Sequence, residues 1–186
     1  SLPSFYKATS LTELDLRGCS NLCSFPEIFP KIMDTMERLY ELDELPSSID
    51  NLIGLQKLRL HNCKNLVCLP NSFFKLKSLM TFHLHGCLRL EIFPEIMDTM
   101  EWLYELDLSG TALKELPSSI GNLIGLKYLS LNYCENLVCL PDSFFKLKSL
   151  LCLSLCGRSN LIVKNLFTAV GGRPVNQKDP HMGYPL

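Results

Sequence analysis

One frame of large apolar residues constrains this chain more than any other feature. In LKYLSLNYCENLVCLPDSFFKLKSL, leucine or phenylalanine falls at 126, 129, 131, 137, 140, 144, 147 and 150, with Cys134 inside the series and Pro141 after Leu140. The spacing is neither the 3.6-residue period of a helix nor a sustained alternation. It reads L-x-x-L-x-L-x-x-[N/C]-x-x-L-x-x-L-P. The same frame starts at Leu11, Leu39, Leu55, Leu79, Leu103, Leu126 and Leu150, with steps of 24, 24, 23 and 24 residues from Leu55 onward but 28 and 16 before it.

The two halves of the frame ask for different backbones. In L-x-x-L-x-L the inner leucines alternate with outward positions, which is the period of a short strand. The half after Leu-Pro has spacings of three and four, suited to a helical turn or a short 3₁₀ segment. One strand per unit, always in the same direction, gives a parallel sheet. Each unit buries its leucines only against its neighbours. The expected fold class is therefore α/β: a leucine-rich-repeat solenoid, curved like a horseshoe, with the sheet on the concave face and short helical or 3₁₀ turns and loops on the convex side. The polar position of the frame holds Cys19, Cys63, Cys87, Thr111 and Cys134. A small donor there can satisfy backbone carbonyls at the corner after each strand. The last repeat has Arg158 instead, and that corner should open to solvent.

The frame also marks the boundaries. Leu2 to Leu11 aligns with the second half of a repeat, so a partial repeat comes first. IMDTMERLYELDELPSSIDNLIGL (Ile32 to Leu55) nearly copies IMDTMEWLYELDLSGTALKELPSSIGNLIGL (Ile96 to Leu126), but lacks the seven residues Leu108 to Lys114. The second repeat has thus lost its second strand leucine and its corner, and should be the irregular part of the array, around residues 28–54. We expect a repeat domain over 1–161, with about six repeats after the partial one, and a non-repeat tail over 162–186.

Formal net charge is −1, from 18 basic and 19 acidic residues. No global field draws such a chain to nucleic acid or to an anionic membrane. No apolar run is long enough to span a bilayer, and the N-terminal residues lack a signal-peptide plan. The nine cysteines are odd in number, mostly explained by the repeat, and accompanied by no N-x-[ST] site. We expect reduced thiols and a cytoplasmic chain, with the nucleus as the other compartment open to it.

The corners GCSNL, NCKNL and YCENL, with the recurrent LPSSI and FPEI, strongly resemble the leucine-rich repeats of plant intracellular immune receptors. The resemblance runs over residues 2–161 and is narrowest for the nucleotide-binding class with an N-terminal Toll/interleukin-1-receptor domain. It implies a recognition and regulatory domain that helps sense pathogen proteins and restrain a nucleotide-binding switch. Its partners would be a pathogen effector, a host protein or the receptor's own nucleotide-binding domain. An intracellular scaffold of another leucine-rich-repeat family is the alternative.

Candidate contact residues are the outward strand positions. They are Glu13, Asp15 and Arg17; the remnant Glu41 and Asp43; Lys57, Arg59 and His61; Thr81, His83 and His85; Glu105, Asp107 and Ser109; Tyr128, Ser130 and Asn132; and Cys152, Ser154 and Cys156. A basic, histidine-bearing stripe thus lies between acidic ones. It suits a partner of complementary charge, or serves only to pair adjacent strands. His61 and His85 could approach each other, but nothing completes a metal shell, so neither metal nor cofactor is expected. The repeated C-x₄-C pairs, Cys63/Cys68 and Cys134/Cys139, read as structural. GNLIGLK (Gly121 to Lys127) lacks phosphate-loop spacing, and no catalytic set stands out, so we do not expect an enzyme.

Overall fold

In a computed structural model, residues 11–19, 52–69 and 71–157 are described. They contain six three-residue strands: β1 (Glu13–Asp15), β2 (Lys57–Arg59), β3 (Thr81–His83), β4 (Glu105–Asp107), β5 (Tyr128–Ser130) and β6 (Cys152–Ser154). All pair in parallel, in chain order, as one sheet. The frame sets the register, because Leu58, Phe82, Leu106, Leu129 and Leu153 are successive partners across it. Three 3₁₀ helices, Asn71–Lys75, Ile120–Asn122 and Asp142–Lys146, take the return path. This is the α/β solenoid that the spacing predicts.

The core lies between the sheet and the return path. Leu55, Leu58, Leu60, Leu79, Leu84, Leu108, Leu126 and Leu131 have no exposed surface. Phe73, from a return segment, stacks on Phe82 of β3 with ring centroids 4.5 Å apart. In the first and last described repeats, Leu11, Leu14, Leu16, Leu150 and Leu155 are only partly buried against this core, while Leu153 is buried in it. A solenoid repeat needs a neighbour on each side to close over it. Gly125 fits its expected structural role: a Cβ there would lie 1.8 Å from the carbonyl oxygen of Glu101.

The polar positions form the expected ladder. Cys63 Sγ donates to the Leu16 carbonyl at 3.4 Å, Cys87 Sγ to that of Leu60 at 3.1 Å, and Cys134 Sγ to that of Leu108 at 3.1 Å. Each thiol reaches the strand end of the preceding repeat. Thr111 turns its hydroxyl to Leu108 of its own repeat instead, at 2.8 Å. Burial raises the Cys134 pKa, and the neighbouring Cys87 thiol together with burial raises that of Cys63. These groups therefore stay thiols and act as donors.

Glu13 pairs directly with Lys57, and Asp15 with Arg59, so β1 and β2 are neighbours in the sheet. One expectation needs correction. Thr81 and Ser109, placed among the outward contact positions, are buried at 5 % and 4 % exposure. Thr81 is a short side chain flanked by Lys57 and Glu105 on the neighbouring strands, and Ser109 is folded onto Asp107 and Ser130. The partial repeat at 1–10, the stretch 28–51 with Glu41 and Asp43, Arg158 and the tail 162–186 lie outside the described residues.

Candidate functional site

The outward positions form three rows across the sheet. The first runs Glu13, Lys57, Thr81, Glu105, Tyr128 and Cys152; the second Asp15, Arg59, His83, Asp107, Ser130 and Ser154. The third, just past the strands, holds Arg17, His61, His85, Ser109, Asn132 and Cys156. A hollow of about 580 Å³ opens on this face. Among its lining residues are Arg17, His61, His85, Glu105, Asp107 and Tyr128, with Ser130, Asn132, Tyr133 and Cys152 toward the far end. The structure thus brings most of the proposed contact residues into one concavity.

Charge is distributed unevenly across it. On β1 and β2 the charges are paired within the chain. Lys57 Nζ donates to Glu13 Oε1 at 2.5 Å, Arg59 lies 3.5 Å from Glu13 Oε2, and Arg17 clasps Asp15 at 2.9 Å. The Lys57 hydrogen bond and charge hold the Glu13 carboxyl below the usual range, while its slight desolvation works the other way. The basic half of the stripe is therefore engaged by its neighbour strand.

The histidines follow. His61 stacks on His83 with centroids 5.2 Å apart and meets His85 edge-on at 6.3 Å. The expected approach of His61 to His85 is present, but the closer ring is His83. Nε2 of both His61 and His83 is buried without a hydrogen bond. His83 Nε2 lies 3.2 Å from Glu105 Oε1, within ion-pair distance but outside hydrogen-bond geometry. Burial lowers the His61 pKa, and His83 adds to the effect, with Asp107 opposing it. No three histidine, cysteine or carboxylate groups are placed to hold a metal among the described residues.

On β4 to β6 the polar groups form a directed chain. Asn132 Nδ2 donates to Ser130 Oγ at 2.9 Å, and Ser109 Oγ donates to Asp107 Oδ1 at 2.5 Å. The Ser109 hydroxyl proton is thereby committed, so the 2.7 Å contact between Ser109 Oγ and Ser130 Oγ has Ser130 as donor. Asn132 Oδ1 in turn accepts from Ser154 Oγ at 2.7 Å and from Cys156 N at 2.6 Å. Donors across three strands point toward one carboxylate, an arrangement that polarises each bond in the series.

Tyr133 is the residue that the strand pattern does not pick out. It sits at the corner where Gly18, Gly86, Gly110 and Gly157 adopt positive φ, and it shares that conformation at φ 56°. Asn62 holds the corner after β2 at φ 59°. For a bulky side chain the left-handed region costs about 1–2 kcal/mol. Its ring is 58 % exposed and lies over Gly157, where a Cβ would come within 2.4 Å of Tyr133 Cδ1. The signal available in the sequence was a tyrosine where the other corners have glycine or asparagine.

The parallel sheet, the leucine core and the 3₁₀ return path define a leucine-rich-repeat solenoid. A solved structure with the same architecture is the leucine-rich repeat domain of the type III effector XCV3220 (XopL), at TM-score 0.50 and 24 % identity. That match covers 81 % of this chain and 62 % of the other. The leucine-rich repeats described as those of RPS4B-like disease resistance proteins match residues 7–88 and 76–171. The chain belongs to that family. Among similar Arabidopsis thaliana proteins, SUPPRESSOR OF npr1-1, CONSTITUTIVE 1 is 38 % identical over 181 residues, 86 % of this chain. Disease resistance protein RPS6 is 34 % identical over 154 residues, 80 % of this chain, and RPS4B is 31 % identical over 161 residues, 87 % of this chain. The chain spans only 12 %, 13 % and 10 % of the lengths of these three relatives. The resemblance to the Toll/interleukin-1-receptor class of nucleotide-binding receptors holds at this level.

Proposed function

We propose that this chain is a non-catalytic recognition and regulatory module of plant disease resistance, acting inside the cell through protein contacts on its concave face. The observation that carries the reading is the family match, which extends through nearly all of the array. The face supplies a means: it is concave, it holds charged, polar and aromatic groups in fixed register, and solenoids present such surfaces to partners. In this reading the module contributes to sensing a pathogen effector, directly or through a host protein, and to holding a nucleotide-binding switch at rest.

A graft tests it. The repeats of a full-length Arabidopsis relative are replaced by the matching repeats of this chain, and defence output is measured in leaf tissue. Reversal of concave charges, Lys57→Glu with Arg59→Glu, should change either resting or triggered output. Reversal of the convex Lys114→Glu should not. Equal output from all grafts would sink the reading.

A further inference from the structure

The two sides of the concave face differ in how their charges are met. On β1 and β2 the carboxylates of Glu13 and Asp15 have lysine or arginine partners from this chain. On β4 they do not. Glu105 faces Tyr128 across the sheet, and Asp107 faces Ser130. Among the described residues neither carboxylate has a lysine or arginine partner. The group beside Glu105 is the His83 imidazole, at its Oε1. Both hydrogen bonds to Asp107 among the described residues land on Oδ1, and the Glu105 side chain is 41 % exposed. Two carboxylates thus line an open concavity of about 580 Å³ with no lysine or arginine partner among the described residues.

The far wall of the same hollow is aromatic. Tyr128 is 47 % exposed and Tyr133 58 %, and both line it. Exposed rings beside carboxylates without lysine or arginine partners favour a cation on two counts. The carboxylates attract its charge and accept its hydrogen bonds, and a ring face adds a cation–π contact. Guanidinium suits this pair of surfaces better than ammonium does, since its planar fork meets a carboxylate while its face stacks on a ring. The Tyr133 ring is braced over Gly157, so little freedom is lost when something packs on it.

We propose that the sheet face from β4 to β6 docks an extended segment of a separate protein through an arginine side chain, with lysine a weaker substitute. Glu105 and Asp107 receive the charge, and Tyr128 and Tyr133 cover the side chain. This rests on the recognition reading above and names the chemistry of the partner, placing the contact on the acidic and aromatic strands rather than on the basic ones.

The test titrates the complete chain with the peptide acetyl-Ser-Gly-Arg-Gly-Ser-amide, and with the same peptide carrying citrulline, which keeps the shape and removes the charge. Binding is followed by NMR shifts of the backbone amides. The arginine peptide should shift resonances between Glu105 and Asn132, and should bind at least tenfold more tightly than the citrulline peptide. Glu105→Gln with Asp107→Asn should abolish that difference, and Tyr128→Ala should weaken arginine binding severalfold. Equal binding of the two peptides to the unmodified chain, or shifts confined to β1 and β2, would overturn the proposal without needing any variant to fold. Carried into the graft experiment, Glu105→Gln with Asp107→Asn should alter output. If output responds to Lys57→Glu with Arg59→Glu but not to the β4 pair, the recognition reading stands and this proposal fails.

Discussion

The thiol of Cys87 donates to the carbonyl of Leu60, 3.1 Å away in the preceding repeat. That carbonyl also accepts the backbone N–H of Cys63, at 3.3 Å. The Leu108 carbonyl two repeats on is better supplied: it receives the Thr111 hydroxyl at 2.8 Å as well as the Cys134 thiol at 3.1 Å. The two cysteines therefore differ in consequence although the frame treats them alike. Cys87→Ala should destabilise the chain by about 1–2 kcal/mol, from a weakened carbonyl and a small void. Cys134→Ala should cost less. Chemical denaturation of the two variants side by side checks the order.

Tyr133 carries a conformational penalty that the other corners avoid. Replacing it by asparagine, the residue at the equivalent corner after β2, relieves the left-handed backbone. We expect Tyr133→Asn to raise stability by about 1 kcal/mol, seen as a melting point a few degrees higher. The same substitution should weaken binding of the arginine peptide. A gain in stability coupled to a loss in binding is the signature of strain kept for contact; a loss of both would make the tyrosine a packing residue.

His61 sets a pH dependence. Its pKa is lowered in the folded chain from an ordinary 6.5, first by burial and then by His83, with smaller contributions from His85 and Arg17 and an opposing one from Asp107. The unfolded chain binds this proton more readily than the folded one. Stability is thus fully present above about pH 6.5 and is lost as pH falls from there toward the lowered folded value. Melting curves between pH 7.5 and 5 should show the fall, and His61→Asn should shallow its slope. An unchanged slope would assign the effect to other groups.

On the convex side, Glu95 joins two repeats. Its carboxylate accepts from Ser118 N at 3.1 Å, from Ser119 N at 3.0 Å and from the Ser119 hydroxyl, just before the 3₁₀ helix at Ile120–Asn122. Ile96 N returns a bond to Ser119 Oγ at 2.7 Å, and Asn122 Nδ2 donates to the Ile96 carbonyl at 2.7 Å. The Ser119 hydroxyl bond chiefly lowers the Glu95 pKa, slight desolvation opposes it, and the two backbone donors assist. The sign is opposite in origin to that of a buried acid: this stabilisation is present above about pH 4.5 and is lost as the carboxylate protonates below it. Glu95→Ala should destabilise by about 1 kcal/mol at neutral pH, and the gap from the unmodified chain should close toward pH 3.

The strands, their order and the core were legible because leucine spacing encodes them directly: an inward leucine every second residue admits one register. The cysteine ladder was legible for a similar reason, since one polar position recurs inside an apolar frame. Contacts between repeats were less so. FPEI and LPSSI recur as texture, but nothing in either says that Glu95 reaches Ser118 and Ser119 across 23 and 24 residues. Exposure was misjudged at Thr81 and Ser109, because outward direction on a strand is not access when longer neighbours close over a short side chain. The basic stripe was read as a contact surface from the signs along each strand. Its pairing with Glu13 depends on which strand lies next to it, and the irregular second repeat conceals that.

The direct pairing of β1 with β2 has a consequence for how such surfaces diversify. Had the Leu39 frame supplied an intact rung, Glu13 would have stood opposite Glu41 and Asp15 opposite Asp43. With β2 beside β1, the same two acids meet Lys57 and Arg59, and attraction stands where like charges would repel. In a stack whose register is set by leucine spacing, a change in which repeats adjoin re-sorts the outward neighbours as shuffling re-sorts cards. A lineage can thus acquire a new electrostatic face by changing which strands adjoin, without waiting for substitutions to build one.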